Sequence, residues 1–166
     1  VAFARSRQEW VSFRNLEEWD IWVLNLKTGR ERRLAERGAE PCWTGDGKAV
    51  VFQRGGREVV QVDYETGVET VLLGQREHAV WTGPSVDPVD GRRVAVTVRG
   101  KSRSTSIISI PDGAVTRVAG GCQLAFVPGG RWLVLVEDGG RMKNQIWRVD
   151  RDGRNRVPLL DMPGYW

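Results

Sequence analysis

The chain has 166 residues, among them 20 glycines and 8 tryptophans, and a formal net charge of +4. This length predicts a single folded core. The sequence has no run of eighteen apolar residues, which argues against a membrane-spanning helix, and no recognisable signal peptide. Cations and acids are interleaved in most loops, so the charge favours a solvated mixed surface over a nucleic-acid site.

Strand-like segments recur along the chain at a spacing of roughly forty residues, which is typical of propeller blades. In each segment apolar and polar residues alternate, and each runs into a turn that contains glycine. The segments lie at residues 20–29, 59–67, 106–113 and 145–153.

A second motif precedes three of these segments: an apolar residue, a tight glycine turn, a cation and then a strand. It occurs at residues 43–52, 86–96 and 126–135. Glycine suits such turns because it accepts a positive φ. The turn glycines are predicted to be Gly29, Gly47, Gly67, Gly91, Gly113, Gly130 and Gly153.

No segment has a sustained helical period. The sequence therefore predicts an all-β propeller with about four blades of four antiparallel strands. We predict that residues 1–166 form one propeller domain or propeller segment. Its blade units are expected at about 1–39, 40–78, 79–121 and 122–161.

The repeat resembles the blade of the TolB propeller family, a WD40-like repeat. The family has an aromatic-Ser-Pro-Asp-Gly-Lys turn, two strands and a Thr-Gly turn; residues 43–52 with 59–67 match it well, and 20–29 match its later part. The resemblance implies a non-catalytic scaffold that binds a protein or peptide partner outside the cytoplasm, as in the periplasm. Relatives leave open a glycan-binding or polysaccharide-lyase-type propeller, and an accessory propeller domain of a peptidase.

The two ends of the sequence are compatible with two ways of completing the propeller ring. The chain opens with a strand at residues 1–4, without a preceding turn motif, and ends with residues 162–166 approaching another turn. In one account residues 162–166 complete the first blade and close a four-bladed ring. In the other the chain is a segment of a larger propeller, as the TolB resemblance implies. An incomplete ring exposes unpaired edges, which leaves self-association into an eight-bladed ring open.

Two loops are candidate binding sites. Residues 5–19 form a long loop with Trp10, Phe13 and Trp19 beside several glutamates, and exposed aromatics with carboxylates can hold a peptide or a sugar. The basic loop of Arg99, Lys101 and Arg103 contains no acid and is a candidate anion contact. The alternative for the first loop is a hairpin whose aromatics pack on a neighbouring blade.

The sequence gives little support for catalysis. His78 is the single histidine, and neither a Gly-x-Ser-x-Gly elbow nor a phosphate-binding glycine loop occurs. Cys42 and Cys122 are predicted to be small residues on inner strands, and their spacing predicts neither a disulfide nor zinc. We therefore expect no metal and no cofactor, and the sequence favours a binding protein over an enzyme.

Overall fold

The structure is a computed structural model that describes residues 1–8, 19–75, 80–100, 103–110, 112–139 and 143–163. For residues 138, 139, 143, 144 and 161–163 it describes the backbone alone. Within the described residues it contains strands and turns and no helix.

Fifteen strands lie within these residues. In chain order they are β1 (Ala2–Ser6), β2 (Trp19–Leu24), β3 (Glu31–Ala35), β4 (Ala39–Trp43), β5 (Ala49–Arg54), β6 (Glu58–Asp63), β7 (Glu69–Leu73), β8 (Val80–Val86), β9 (Arg93–Arg99), β10 (Ser104–Ser109), β11 (Val115–Gly120), β12 (Cys122–Phe126), β13 (Trp132–Gly139), β14 (Lys143–Asp150) and β15 (Val157–Pro163).

Consecutive strands pair antiparallel into four sheets, the blades, among the described residues. Blade 1 has three strands in the order β1-β2-β3, and blades 2, 3 and 4 are β4 to β7, β8 to β11 and β12 to β15. The all-β propeller architecture predicted from the sequence is confirmed. Blade 1 is one strand short because β1 corresponds to the second strand of the other blades.

The structure describes the backbone of Met162 and Pro163. They belong to β15, where they pair with Asn144 and Lys143 of β14. This pairing extends a local antiparallel ladder, so the backbone groups are satisfied by the neighbouring strand of the same blade. Residues 162 and 163 therefore belong to blade 4, and residues 164–166 lie outside the described residues.

In the part of the chain that the structure describes, the hydrophobic core forms three clusters, one at each boundary between successive blades. Side chains alternate along a strand, so a blade that lies between two others buries one set of side chains on each face. Blades 1 and 2 meet at Ile21, Ala35, Val50, Phe52, Val60 and Val62. Blades 2 and 3 meet at Val51, Val59, Leu73, Trp81, Val86, Val94, Val96 and Ile108. Blades 3 and 4 meet at Ala95, Ile107, Ala119, Leu124, Leu133, Leu135 and Val149.

Tight turns with glycine join β2 to β3 and β6 to β7. Gly29 has φ of 68° and donates its N–H to the carbonyl of Asn25 at 2.8 Å, and Gly67 repeats this with φ of 72° and the carbonyl of Asp63 at 2.9 Å. The other turn glycines named above also have positive φ. These conformations explain why glycine occupies the turns.

Candidate functional site

One rim of the molecule collects the loops singled out in the sequence. Because the strands alternate in direction, the connections β1–β2, β5–β6 and β9–β10 lie on the same rim as the linkers between blades. The ends of the loop at residues 5–19, called the aromatic loop below, therefore lie on this rim. The basic loop of Arg99 and Arg103 and the linker at residues 36–38 lie on the same rim.

The structure describes the two ends of the aromatic loop, residues 5–8 and residue 19. Trp19 is the first residue of β2, is half-buried, and accepts the N–H of Gly38 on its backbone oxygen at 2.7 Å. This hydrogen bond attaches the linker between blades 1 and 2 to the backbone of β2. Trp10 and Phe13 lie outside the described residues.

The structure describes the basic loop only at its two ends as well. Arg99 ends β9 and Arg103 directly precedes β10, and both side chains are exposed. Lys101 lies outside the described residues. The two arginines are positioned where an anion in solution could reach them.

The buried carboxylate of Asp20 connects the aromatic loop with the linker. Oδ1 accepts hydrogen bonds from Nε and Nη2 of Arg7, at 2.9 and 2.6 Å, and from the backbone N–H of Arg37 at 3.0 Å. A nitrogen of Arg33 lies 3.6 Å from Oδ2. Burial opposes ionisation, but these hydrogen bonds and charges outweigh it and lower the pKa of Asp20. The ionised carboxylate holds together the base of the loop and the linker.

Beside this carboxylate a groove of about 510 Å³ opens between blades 1 and 2. Its lining is mostly charged and consists of Arg33, Leu34, Ala35, Glu36, Arg37, Arg54 and Glu69. Arg33 pairs with Glu36 at 3.0 Å, and Nη2 of Arg54 contacts both carboxylate oxygens of Glu69 at 2.8 Å.

Arg37 differs from the other two arginines of the groove. Its side chain is exposed, and its guanidinium forms no hydrogen bond or ion pair with the described residues. Its φ is 55°, in the left-handed region that few non-glycine residues occupy. Backbone strain of this kind is often found at binding sites. Arg37 is therefore the group of the groove best placed to bind an anion.

The inner strands add a second set of polar groups to this rim. β4, β8 and β12 are edge strands of their sheets, and each contains a bulge with a left-handed residue: Glu40 at φ 55°, Gly83 at 59° and Gln123 at 58°. Oε2 of Glu40 accepts the N–H of Gly83 at 2.6 Å and so joins blades 2 and 3. Bulges commonly re-aim side chains near binding sites.

Sequence reasoning missed both Arg37 and Glu40. The arginines of the groove come from β3, a linker and β5, and nothing in their spacing predicts that they meet. The sequence did contain a weak indication of the bulges. A proline follows the left-handed residue in two of the three inner strands, at Pro41 and Pro84, and proline within a strand is typical of an edge or a bulge.

The described residues contain no cluster of His, Cys, Asp and Glu that could hold a metal ion. Cys42 and Cys122 are free and half-buried.

No helix in the described part of the chain is long and apolar enough to cross a bilayer.

Comparison with known proteins gives structural matches alone. No family model and no curated protein matches the sequence. The chain is similar in structure to TolB from Acinetobacter baumannii, with a TM-score of 0.70, 22% identity, and coverage of 86% of this chain and 38% of that one. It is similar to a TolB structure from Agrobacterium tumefaciens, with a TM-score of 0.74, 21% identity, and coverage of 88% and 58%. An oligogalacturonate lyase in complex with manganese matches at a TM-score of 0.58 and 14% identity, over 88% of this chain and 60% of that one.

These likenesses establish the fold. The chain has the TolB-like β-propeller fold, as its repeat predicted, and it spans less than two thirds of the length of each of these proteins.

Proposed function

We propose that this propeller is a non-catalytic interaction scaffold that binds a protein or peptide partner on the rim carrying the Arg37 groove. The observation that carries the proposal is the exposed side chain of Arg37, which lines a groove of about 510 Å³ and is unpaired with any described residue. The aromatic loop with Trp10, Phe13 and Trp19 begins and ends beside this groove.

The chemistry of the groove defines the kind of peptide. Guanidinium groups bind carboxylates through charge-assisted hydrogen bonds, often two at a time. Glu36 and Glu69 neutralise part of the charge of Arg33 and Arg54, whereas the charge of Arg37 is directed to solvent. We therefore expect an acidic peptide segment with aromatic or apolar neighbours.

The test is a binding titration with a fluorescently labelled poly-glutamate hexapeptide, with the poly-glutamine peptide as the neutral reference. We expect Arg37→Ala to weaken binding about tenfold, which corresponds to about 1.4 kcal/mol. Arg30→Ala is the matched control, because Arg30 is an exposed arginine in the turn between β2 and β3 on the opposite rim. Equal affinity of the wild type for both peptides, or equal loss in both variants, would contradict the proposal.

An acidic oligosaccharide is the second candidate ligand. The same arginine groove suits the carboxylates of a uronic acid, and the aromatic loop would offer rings for sugar stacking. Its test is calorimetry with a trigalacturonate against an uncharged trisaccharide. Binding that requires Arg37 but ignores poly-glutamate would favour the sugar over the peptide.

Two further parts of the hypothesis rest on the sequence. We propose that Arg99, Lys101 and Arg103 add an anion contact on the same rim, and that the protein acts outside the cytoplasm, as the TolB resemblance implies. Cell fractionation of the tagged native protein checks the compartment. Recovery in the cytoplasm alone would refute it.

A further inference from the structure

The conformation of Arg37 is held by two hydrogen bonds to adjacent residues of β2. The N–H of Arg37 donates to Oδ1 of Asp20 at 3.0 Å, and the N–H of Gly38 donates to the backbone oxygen of Trp19 at 2.7 Å. These two N–H groups belong to the planar peptide units on either side of the Arg37 Cα, so together they fix its φ and ψ. The φ of 55° and the direction of the Arg37 side chain therefore depend on β2.

The linker that carries Arg37 is also packed against the core between blades 1 and 2. A Cβ at Gly38 would lie 2.4 Å from Cδ2 of Phe52 and 2.9 Å from Cγ1 of Ile21. The linker backbone thus lies directly on these two buried side chains. Apolar packing holds the linker at Gly38, and the Asp20 carboxylate holds it one residue earlier.

Arginine is an unfavourable residue in a left-handed conformation, because its Cβ approaches the following carbonyl oxygen. In the linker between blades 3 and 4 the left-handed residue is a glycine, Gly121, with φ of 100°. A compensating interaction is therefore expected at Arg37. The hydrogen bond from its N–H to an ionised carboxylate supplies one, since hydrogen bonds to charged groups are stronger than those between neutral groups.

The buried carboxylate is particular to blade 1 within the described part of the chain. The strand pairing aligns Asp20 with Glu58, Ser104 and Gln145 of the other blades. Asp20 is 4% exposed, whereas the three equivalent residues are half-buried. The repeat itself thus does not require a buried acid at this position, which favours a role specific to the linker between blades 1 and 2.

Arg7 joins the aromatic loop to the same oxygen atom. Nε and Nη2 of Arg7 donate to Oδ1 of Asp20 at 2.9 and 2.6 Å. The first end of the aromatic loop and the Arg37 backbone therefore share one acceptor, and Trp19, at the other end of that loop, holds the next residue of the linker.

We propose that Asp20 is the positioning residue of the anion site: its carboxylate sets the left-handed conformation of Arg37 and so places the Arg37 side chain along the groove. This inference rests on the proposed function, in which Arg37 binds the anion. Asp20 acts through the Arg37 backbone and does not contact the ligand, because its own negative charge would repel an acidic peptide.

The test is the poly-glutamate titration on Asp20→Ala. The substitution removes a negative charge beside the groove, so charge alone predicts tighter binding of an acidic peptide. Loss of the Arg37 conformation predicts the opposite, about threefold to tenfold weaker binding, because the side chain must then be ordered when the peptide binds. Asp63→Ala is the matched control, since it removes the same charge from the turn between β6 and β7 on the opposite rim, and it should not weaken binding.

A double-mutant cycle separates positioning from a general effect on the fold. In the Arg37→Ala background, Asp20→Ala should not weaken binding further, because the side chain that it positions is absent. Asp20→Asn is the second variant: it keeps an acceptor oxygen without the charge, folds more readily, and should weaken binding by a smaller factor. Unchanged or tighter binding in either Asp20 variant, or a further loss in the Arg37→Ala background, would overturn the proposal. Thermal melts check that the variants are folded.

Amide hydrogen exchange of the free protein tests the same role without a ligand. Asp20→Ala should speed exchange at least about tenfold at Arg37, which loses its acceptor, and also at Gly38, whose acceptor on Trp19 remains. Faster exchange at Gly38 reports the loss of the linker conformation itself, and unchanged exchange there would overturn the positioning role. A wild type that does not bind poly-glutamate would refute the proposed function instead, and the exchange at Gly38 would still decide the role of Asp20.

Discussion

At the scale of single residues, Asp20 shows how one side chain organises the rim. Its carboxylate is buried among Arg7, Arg33 and the backbone of Arg37, which lie just after β1, in β3 and in the linker to blade 2. A neutral acid would accept these hydrogen bonds more weakly, so the geometry depends on ionisation.

This dependence predicts a pH effect on stability. The pKa of Asp20 is lower in the folded than in the unfolded protein, so its contribution is present above the unfolded pKa and is lost as the pH falls through the folded pKa. We expect Asp20→Asn to lower the melting temperature near neutral pH. Because the unfolded pKa is about 3.9, the gap to the wild type should narrow as the pH falls below about 4.

Thermal melts of both proteins between neutral and strongly acidic pH check this expectation. The comparison with Asp20→Asn is needed because the pKa values of Asp46, Asp63, Asp90 and Asp112 are lowered as well and contribute to acid unfolding in both proteins. A gap that stays constant with pH would show that the ionised form of Asp20 is not what stabilises the rim.

At the scale of elements, the turns between strands depend on glycine conformation. Gly67 joins β6 to β7, has φ of 72°, and has no atom within 4 Å of the position that a Cβ would occupy. A side chain there would have room, so any cost of a substitution comes from the backbone itself.

We expect Gly67→Ala to reduce the free energy of unfolding by about 1 kcal/mol. Gly74→Ala is the matched control, because Gly74 has equal room but no positive φ, and its substitution should change stability by less than about 0.5 kcal/mol. Urea titrations of both variants give the two values. Equal effects at the two positions would argue against strain at Gly67.

At the scale of the whole molecule, polar contacts between blades complement the apolar clusters. Asp87, at the end of blade 3's inner strand, is fully buried and accepts a hydrogen bond from Nε of Arg151 of blade 4 at 2.5 Å. Nη2 of Arg151 also pairs with Asp90 at 2.6 Å, and Arg93 donates to the backbone carbonyl of Arg151 at 3.0 Å. The turn of blade 4 is thereby tied to that of blade 3.

Removing Arg151 should therefore loosen the boundary between blades 3 and 4. We expect Arg151→Ala to cost about 2–4 kcal/mol, because it leaves the Asp87 carboxylate buried without its cation. Arg154→Ala, in the same turn, should cost less than about 0.5 kcal/mol, since its ion pair with Asp152 is exposed. Chemical unfolding measures both. A small effect at Arg151 would indicate that water replaces the guanidinium.

The strands and turns of this protein were determined by the sequence itself. Alternation of apolar residues marks β6, and Thr66-Gly67 marks the turn that follows, because both depend on local conformation and on which face is buried. The recurrence of these motifs predicted the propeller. Trp19, Arg99 and Arg103 could be placed on one rim, since the order of strands decides that.

The groove between blades 1 and 2 was decided by the tertiary structure. Arg33, Arg37 and Arg54 meet because side chains such as Ile21 and Phe52 pack blade 1 on blade 2, and no local pattern encodes that contact. Local sequence determines the blades; packing between blades creates the surfaces that can bind.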